Sequence, residues 1–216
     1  MRVIVTRPRA QAEPLAAALR ARDFEPVLFP VIEVEPTDDE PIDVRGYDWV
    51  IVTSANGAAE LARRSNGRPG RIAAVGEATA AALAEHGLRV DFVPSVASQD
   101  GLVREFPRPV GRALFVGAEG ARQTLATRLP AEFRPVYRTV PIRAGPPPDG
   151  DLVLLASVSA AGAWGELGSP APAITIGPQT TTAARRAGVN VVAEAKTQSV
   201  GGLVDSAAAW RASSRS

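Results

Sequence analysis

The chain has 216 residues, 45% hydrophobic and 22% charged, with a formal net charge of +1, which fits a soluble globular protein of one large domain or two small ones. It holds no Cys and a single His, His86, which excludes disulfides, thiolate nucleophiles and Cys- or His-cluster metal sites and speaks against a Ser-His-Asp triad. The near-zero charge argues against a nucleic-acid footprint over the whole surface, and no apolar run approaches the roughly 20 residues that span a bilayer.

In chain order, Val3 to Val5 reads as a strand and Gln11 to Arg22 as a helix, with Leu15, Ala18 and Leu19 at helical spacing. Pro26 to Val34 reads as extended, with Pro36 ending the run. Trp49 to Thr53, Ile72 to Val75 and Val90 to Val93 read as strands, and the helices Ala55 to Arg64, Ala78 to His86 and Gly101 to Phe106 lie between or after them. The second half repeats the alternation: strands at Ala113 to Val116, Val136 to Ile142, Leu152 to Ala156, Ile174 to Ile176 and Val191 to Ala193. Its helices are Arg122 to Leu129, Ala160 to Leu167, Thr180 to Ala187 and Leu203 to Trp210. Such alternation predicts an α/β fold of parallel sheets flanked by helices. The start, MRVIVTRPRAQAE, lacks the apolar core of a signal peptide, so a cytoplasmic protein is expected.

The chain also matches itself. DWVIVTSANGAAELARR from Asp48 parallels DLVLLASVSAAGAWGEL from Asp151, an offset of 103. At an offset of 101, Gly76 meets Gly177, Thr79 meets Thr180, Ser98 meets Ser199 and Gly101 meets Gly202. A third pair, from Arg2 and Arg112, aligns Leu15 with Leu125 and, one deletion later, Phe24 with Phe133 and Pro26 with Pro135. Three matches in succession predict two copies of one unit. Proline-bearing extended segments near Ile32 to Glu40 and Arg138 to Pro148 read as two linkers. If both are crossings, residues 1–35 with 146–216 form a discontinuous domain and residues 36–145 an inserted one. A two-strand hinge of that kind allows closure around a ligand.

In parallel sheets, ligands bind at the carboxyl ends of the strands. Those ends hold Thr6-Arg7, Ser54-Ala55-Asn56, Gly76 to Thr79, Gly117 to Glu119, Ser157 to Ser159 and Gly177 to Thr180, each expected to open a helix. Unpaired amides and the helix dipole favour an anion there, and Ser or Thr either adds a donor or simply caps the helix. Nearly all the basic residues are Arg, Lys196 being the only Lys, and the Arg fork suits carboxylates. His86 is expected to sit at a helix end as a dipole partner. Glu77 and Glu119, beside the supposed anion site, are expected to face solvent.

The segments VIVTRPRAQAEPLAAAL, FEPVLFPVIEVEP, WVIVTSANGAAE, IAAVGEATAAAL, LFVGAEGARQTLATRL, PVYRTV, ITIGPQTTTAARRAGVNVV and SVGGLVDSA together make the chain resemble the uroporphyrinogen-III synthase family over roughly residues 1 to 210. The resemblance implies a two-domain α/β enzyme acting in the cleft between its domains. Its substrate would be hydroxymethylbilane, a linear tetrapyrrole with eight carboxylates. The enzyme would expel the terminal hydroxyl as water, invert the last pyrrole ring through a spiro intermediate and close the macrocycle. It would need no metal or organic cofactor and act as a monomer without nucleic acid or membrane.

The same resemblance points to Tyr137, in PVYRTV, as a phenol able to protonate the departing hydroxyl; a Tyr packed at the hinge is the plainer reading. Arg7, Gln11 and Arg122 match polar family positions. The expected substrate-binding set is Arg7, Ser54, Asn56, Gly76, Thr79, Ser98, Gly117, Arg122, Ser157, Gly177, Thr180 and Ser199. Ala118 stands where the family often has Arg or Lys, and Asn56 where some relatives are basic. The alternative is a two-lobed protein binding a small anion or phosphate ligand, although no GxGxxG or GxxxxGK[ST] loop is present. A regulator-like interaction module would need an acidic cluster that the strand ends lack.

Overall fold

Residues 1–143 and 145–214 are described by the computed structural model. The elements run β1 (Arg2–Val5), α1 (Arg9–Arg20), β2 (Glu25–Leu28), β3 (Ile32–Pro36), β4 (Ile42–Asp43), β5 (Trp49–Val52), α2 (Ala55–Arg64), β6 (Ser65–Asn66), β7 (Arg71–Ala74), α3 (Glu77–Glu85) and α4 (Gln99–Glu105). They continue with β8 (Ala113–Ala118), α5 (Thr124–Arg128), β9 (Ala131–Pro141), β10 (Leu152–Leu155), α6 (Val158–Glu166), β11 (Ala173–Thr175), α7 (Pro178–Arg186), β12 (Val191–Glu194) and α8 (Val200–Ser213).

These elements gather into two units, one of Met1–Glu33 with Thr139–Ser216 and one of Val34–Arg138. The first holds a sheet in the order β12-β11-β10-β1-β2, with every neighbouring pair parallel. The second holds β3-β9-β8-β5-β7, in which β9-β8, β8-β5 and β5-β7 are parallel. Strand β3 runs against β9: Ile142 N donates to Val31 O and Thr37 N to Val136 O, so one strand rises in number as the other falls. The chain leaves one unit for the other between Glu33 and Val34, on β3, and again between Arg138 and Thr139, on β9.

The central strands read as unbroken apolar runs because both sheet faces are covered. In the first unit Val3 and Val5 of β1, with Leu152 and Leu154 of β10, pack on one side against Leu15 and Leu19 of α1 and Leu203 and Val204 of α8. Ile4, Val153 and Leu155 pack on the other against Ala161 and Trp164 of α6 and Ala184 of α7. In the second unit Val50 and Val52 face Ala58 and Leu61 of α2 and Leu83 of α3, while Trp49 and Ile51 face Leu102 of α4 and Leu125 of α5. The period-two alternation thus splits each strand between two apolar layers.

The internal repeat survives as matched contacts. Asp151 Oδ2 accepts from Arg2 N at 2.7 Å, and Asp48 Oδ2 accepts from Arg112 N at 2.8 Å, each Asp starting a central strand. Ser54 and Ser157 cap α2 and α6, and Ser98 and Ser199 cap α4 and α8, each accepting from the amide three residues on. A Cβ on Gly101 would meet Val96 O at 2.2 Å, and one on Gly202 would meet Thr197 O at 2.1 Å. The copies have, however, exchanged front pieces. β1, α1 and β2 of the first copy join β10 to α8 of the second, and β8, α5 and β9 of the second join β5 to α4 of the first.

Four details differ from the sequence reading. Val90 to Val93 contributes only one bridge, Phe92 with Ala73, instead of a strand. Helix α5 is five residues long, not eight: Arg122 and Gln123 lie outside it, Gln123 as its cap, and it ends at Arg128, two residues before Pro130. Strand β9 begins at Ala131, five residues before the expected Val136, and carries Pro135 inside it. The third repeat also fails at its end: Pro26 pairs beside Val3, whereas Pro135 pairs beside Gly117, because the 12-residue α1 and the five-residue α5 bring the following strand in at different heights.

Candidate functional site

In the second unit the carboxyl ends of β5, β7 and β8 hold Ser54, Gly76 and Gly117, and Tyr137 lies within β9 beside Ala118, the last residue of β8. Ser54 and Tyr137 are brought into direct contact, Oγ to phenol oxygen at 2.9 Å, while Ser54 Oγ also accepts from Gly57 N at 3.0 Å. Tyr137 is 8% exposed and lies in the apolar cluster of β5, α2 and α3. Its place depends on a register break: Gly117 stands beside Pro135, but Ala118 stands beside Tyr137. That bulge sends Val136 and Tyr137 into the same cluster, although adjacent residues of a regular strand face opposite ways.

In the first unit the carboxyl ends hold Arg7 after β1, Ser157 after β10 and Gly177 after β11. Arg7 is half-buried, and its Nη2 donates to Gln11 Oε1 at 3.4 Å. It has no carboxylate within ion-pair reach among the described residues. Burial therefore pulls the Arg7 guanidinium below its ordinary range, with no acid to restore it. A cation held this way gains from an incoming carboxylate.

The helix starts divide into two kinds. At α2, α4, α6 and α8 a serine hydroxyl occupies one first-turn amide. At α3 and α7 the capping residues are Gly76 and Gly177, which supply no side chain, so no side-chain oxygen occupies the first-turn amides, although Thr79 N turns back to Gly76 O at 3.0 Å and Pro178 has no N–H. Thr79 and Thr180 are not caps. Both lie in the first turn, 5% and 4% exposed, and neither hydroxyl has a partner among the described residues. The glycines have a packing role as well. A Cβ on Gly76 would meet Ala97 Cβ at 2.7 Å, and one on Gly177 would meet the Gln198 side chain at 2.9 Å. Each glycine lets the loop that leads to Ser98 or Ser199 lie against its helix start.

Two expected members sit differently. Gly117 lies inside β8 and opens no helix; Arg122 is exposed in the loop before α5, outside any helix. Asn56 is half-buried in the first turn of α2. Glu77 and Glu119 are exposed, and His86 is the residue closing α3. Sequence reasoning missed Arg64, a buried arginine in the last turn of α2, because it reads as one more polar residue on a helix surface. Among the described residues no group of His, Asp and Glu side chains could hold a metal, and no helix is long and apolar enough to cross a membrane.

The loop before Ser98 is tied down by Glu105, which accepts from Ser95 N at 2.7 Å and from Ser95 Oγ at 2.8 Å. The backbone bond, then Arg104 and the hydroxyl, lower the Glu105 carboxyl to about 2. A depressed carboxyl stabilises the fold above the usual carboxylate range, and that contribution is lost as the pH falls from there toward about 2. An NMR titration is expected to give Glu105 a midpoint of about 2, and Ser95→Ala to raise it. An ordinary midpoint in the native chain would show that the loop is not held.

Comparison with known proteins follows the same lines. The family model described as uroporphyrinogen-III synthase HemD matches residues 13–205. A uroporphyrinogen-III synthase of Synechococcus elongatus is 32% identical over 146 residues, covering 60% of this chain and 55% of that protein. The chloroplastic uroporphyrinogen-III synthase of Oryza sativa is 29% identical over 237 aligned positions, covering 94% of this chain and 78% of the relative. The chain spans 55% to 62% of the length of its Synechococcus and Methanocaldococcus jannaschii relatives. A crystal structure of a mutant uroporphyrinogen III synthase from the extremely thermophilic bacterium Thermus thermophilus matches all of both chains with a TM-score of 0.60 at 19% identity, a likeness of fold.

Proposed function

This chain belongs to the uroporphyrinogen-III synthase family, and from that premise we propose that it is a cyclising lyase that converts hydroxymethylbilane to uroporphyrinogen III. The reaction removes the terminal hydroxyl as water, turns the last pyrrole ring over through a spiro intermediate and closes the ring. The observation that carries the reading is a set of polar groups left open at strand ends. Arg7 lacks an acid partner among the described residues, and α3 and α7 begin with uncapped amides. Eight carboxylates need such groups, and the substrate expected for this family carries eight.

In this reading Arg7 and the first turns of α3 and α7, with Thr79 and Thr180, hold carboxylate arms. Ser54, Asn56, Ser98, Gly117, Arg122, Ser157 and Ser199 complete the substrate-facing set, the serines among them keeping their caps. Tyr137, in hydrogen-bond contact with Ser54, gives its proton to the departing hydroxyl. The rest of the catalysis is positional: holding the last ring so that bond formation falls on the inverted carbon. The alternative of a two-lobed anion-binding protein draws nothing from the family match.

The test is to supply freshly made hydroxymethylbilane and separate the product isomers. Isomer III is expected. Isomer I alone, the product of spontaneous closure, would overturn the assignment.

A further inference from the structure

Arg64 is the only charged residue that is buried among the described residues, with 2% of its side chain exposed. A guanidinium withdrawn from water is tolerated only when its donors are matched. Nη1 donates to Asp38 O at 2.6 Å, to Asp38 Oδ1 at 2.5 Å and to Glu40 O at 3.3 Å. Nε lies 3.0 Å from Glu60 Oε2, but off the hydrogen-bond line. Nη2 donates to the carbonyl of Val136 at 3.2 Å.

That last acceptor is the informative one. Val136 is the residue skipped at the break between β8 and β9, and Tyr137 follows it. Pro135 has no N–H with which the ladder could restore regular pairing. At the bulge the Val136 carbonyl accepts from both Thr37 N and Arg64, so it is held from outside the β8–β9 ladder. Helix α2 therefore grips β9 from both ends. Its capping Ser54 touches the Tyr137 phenol, and its final Arg64 touches the Val136 carbonyl.

We propose that Arg64 is a positioning residue: by fixing the Val136 carbonyl it sets the bulge that aims the Tyr137 phenol at Ser54. The effect on turnover rests on the proton-donor reading of Tyr137, whereas the effect on where the ring sits does not. Asp38 acts with it, because its carboxylate also accepts from Arg134 at 3.0 Å and so keeps Arg64 in place.

The chain has two tyrosines, Tyr47 and Tyr137, so 3-fluorotyrosine labelling of the full chain gives two fluorine resonances. They are assigned with Tyr47→Phe. Arg64→Lys keeps the charge but loses the planar fork, and is expected to move the Tyr137 resonance while leaving that of Tyr47 in place. Asp38→Asn, a milder change at a partly exposed residue, is expected to move the same resonance in the same direction. It decides the matter should Arg64→Lys not fold. With hydroxymethylbilane, kcat of Arg64→Lys is expected to fall about 10-fold to 100-fold with KM nearly unchanged. That loss is expected to vanish in a Tyr137→Phe background.

A Tyr137 resonance that stays put in both folded variants would overturn the proposal, as would an equal loss of kcat with and without the phenol. A wild-type chain that makes no isomer III would sink the activity reading instead and leave the fluorine spectra to decide the positioning role.

Discussion

Tyr137→Phe is expected to lower kcat for hydroxymethylbilane about 100-fold or more while leaving KM within about twofold, the loss typical of removing a positioned general acid. Phe keeps the ring and so its packing in the apolar cluster around Val136. It removes only the oxygen that meets Ser54 at 2.9 Å. Ser54 Oγ still accepts from Gly57 N, so α2 keeps its cap. The stability cost of the lost hydrogen bond is about 1 kcal/mol, too small to unfold the chain and masquerade as lost chemistry. Single-turnover measurement of both isomers separates the roles. A slower rate at an unchanged isomer ratio marks proton donation. A shift toward isomer I at an unchanged rate would make the hydroxyl a positioning contact instead of a proton donor, and no change in either would remove the phenol from the mechanism.

Trp164→Ala is expected to cost about 3–5 kcal/mol of stability, the range for deleting a buried aromatic side chain. Trp164 is fully buried in the layer formed by Ile4, Val153 and Leu155, with Phe29 edge-on at 6.1 Å between ring centroids. Its indole Nε1 has no hydrogen-bond partner among the described residues. A donor buried without an acceptor is a standing cost, so Trp164→Phe loses packing but also relieves that cost. Its expected loss is less than half that of Trp164→Ala. Urea denaturation of the three proteins checks the order. A loss under about 1 kcal/mol for Trp164→Ala would mean that the indole is not packed in the core as described.

The sheets were legible because Val3 to Val5, Val50 to Val52 and Leu152 to Leu155 are runs that only a strand covered on both faces accommodates. The serine caps were legible for a local reason: Ser54, Ser98, Ser157 and Ser199 each precede a helical stretch and act within three residues of themselves. What escaped depends on distant partners. Thr79 and Thr180 have the residue type of a cap, but Gly76 and Gly177 stand at the capping positions, a distinction that backbone geometry makes and residue type does not. Arg64 has no local sign of burial, since its acceptors Asp38 and Val136 lie 26 and 72 positions away. The bulge at Val136 was not legible because the register shift between Gly117 and Ala118 depends on the pairing of two strands, and Pro135 by itself shows only that one ladder donor is missing.

The exchange of front pieces between the two copies sets a timetable for synthesis. Everything that Val34–Arg138 needs leaves the ribosome as one continuous stretch, so this unit can finish its sheet while the chain is still growing. Arg2 and its neighbours have no such luck: the strand that flanks them, beginning beside Asp151, is made 149 positions later. At about 5–20 residues per second that is a wait of about 7–30 s in which Val3 and Val5 have α1 to pack on but Ile4 lacks Val153, Leu155 and Trp164. A nascent chain stalled short of Leu152 would present that apolar strand with one edge unpaired, and aggregation should therefore concentrate in products truncated between Arg138 and Leu152.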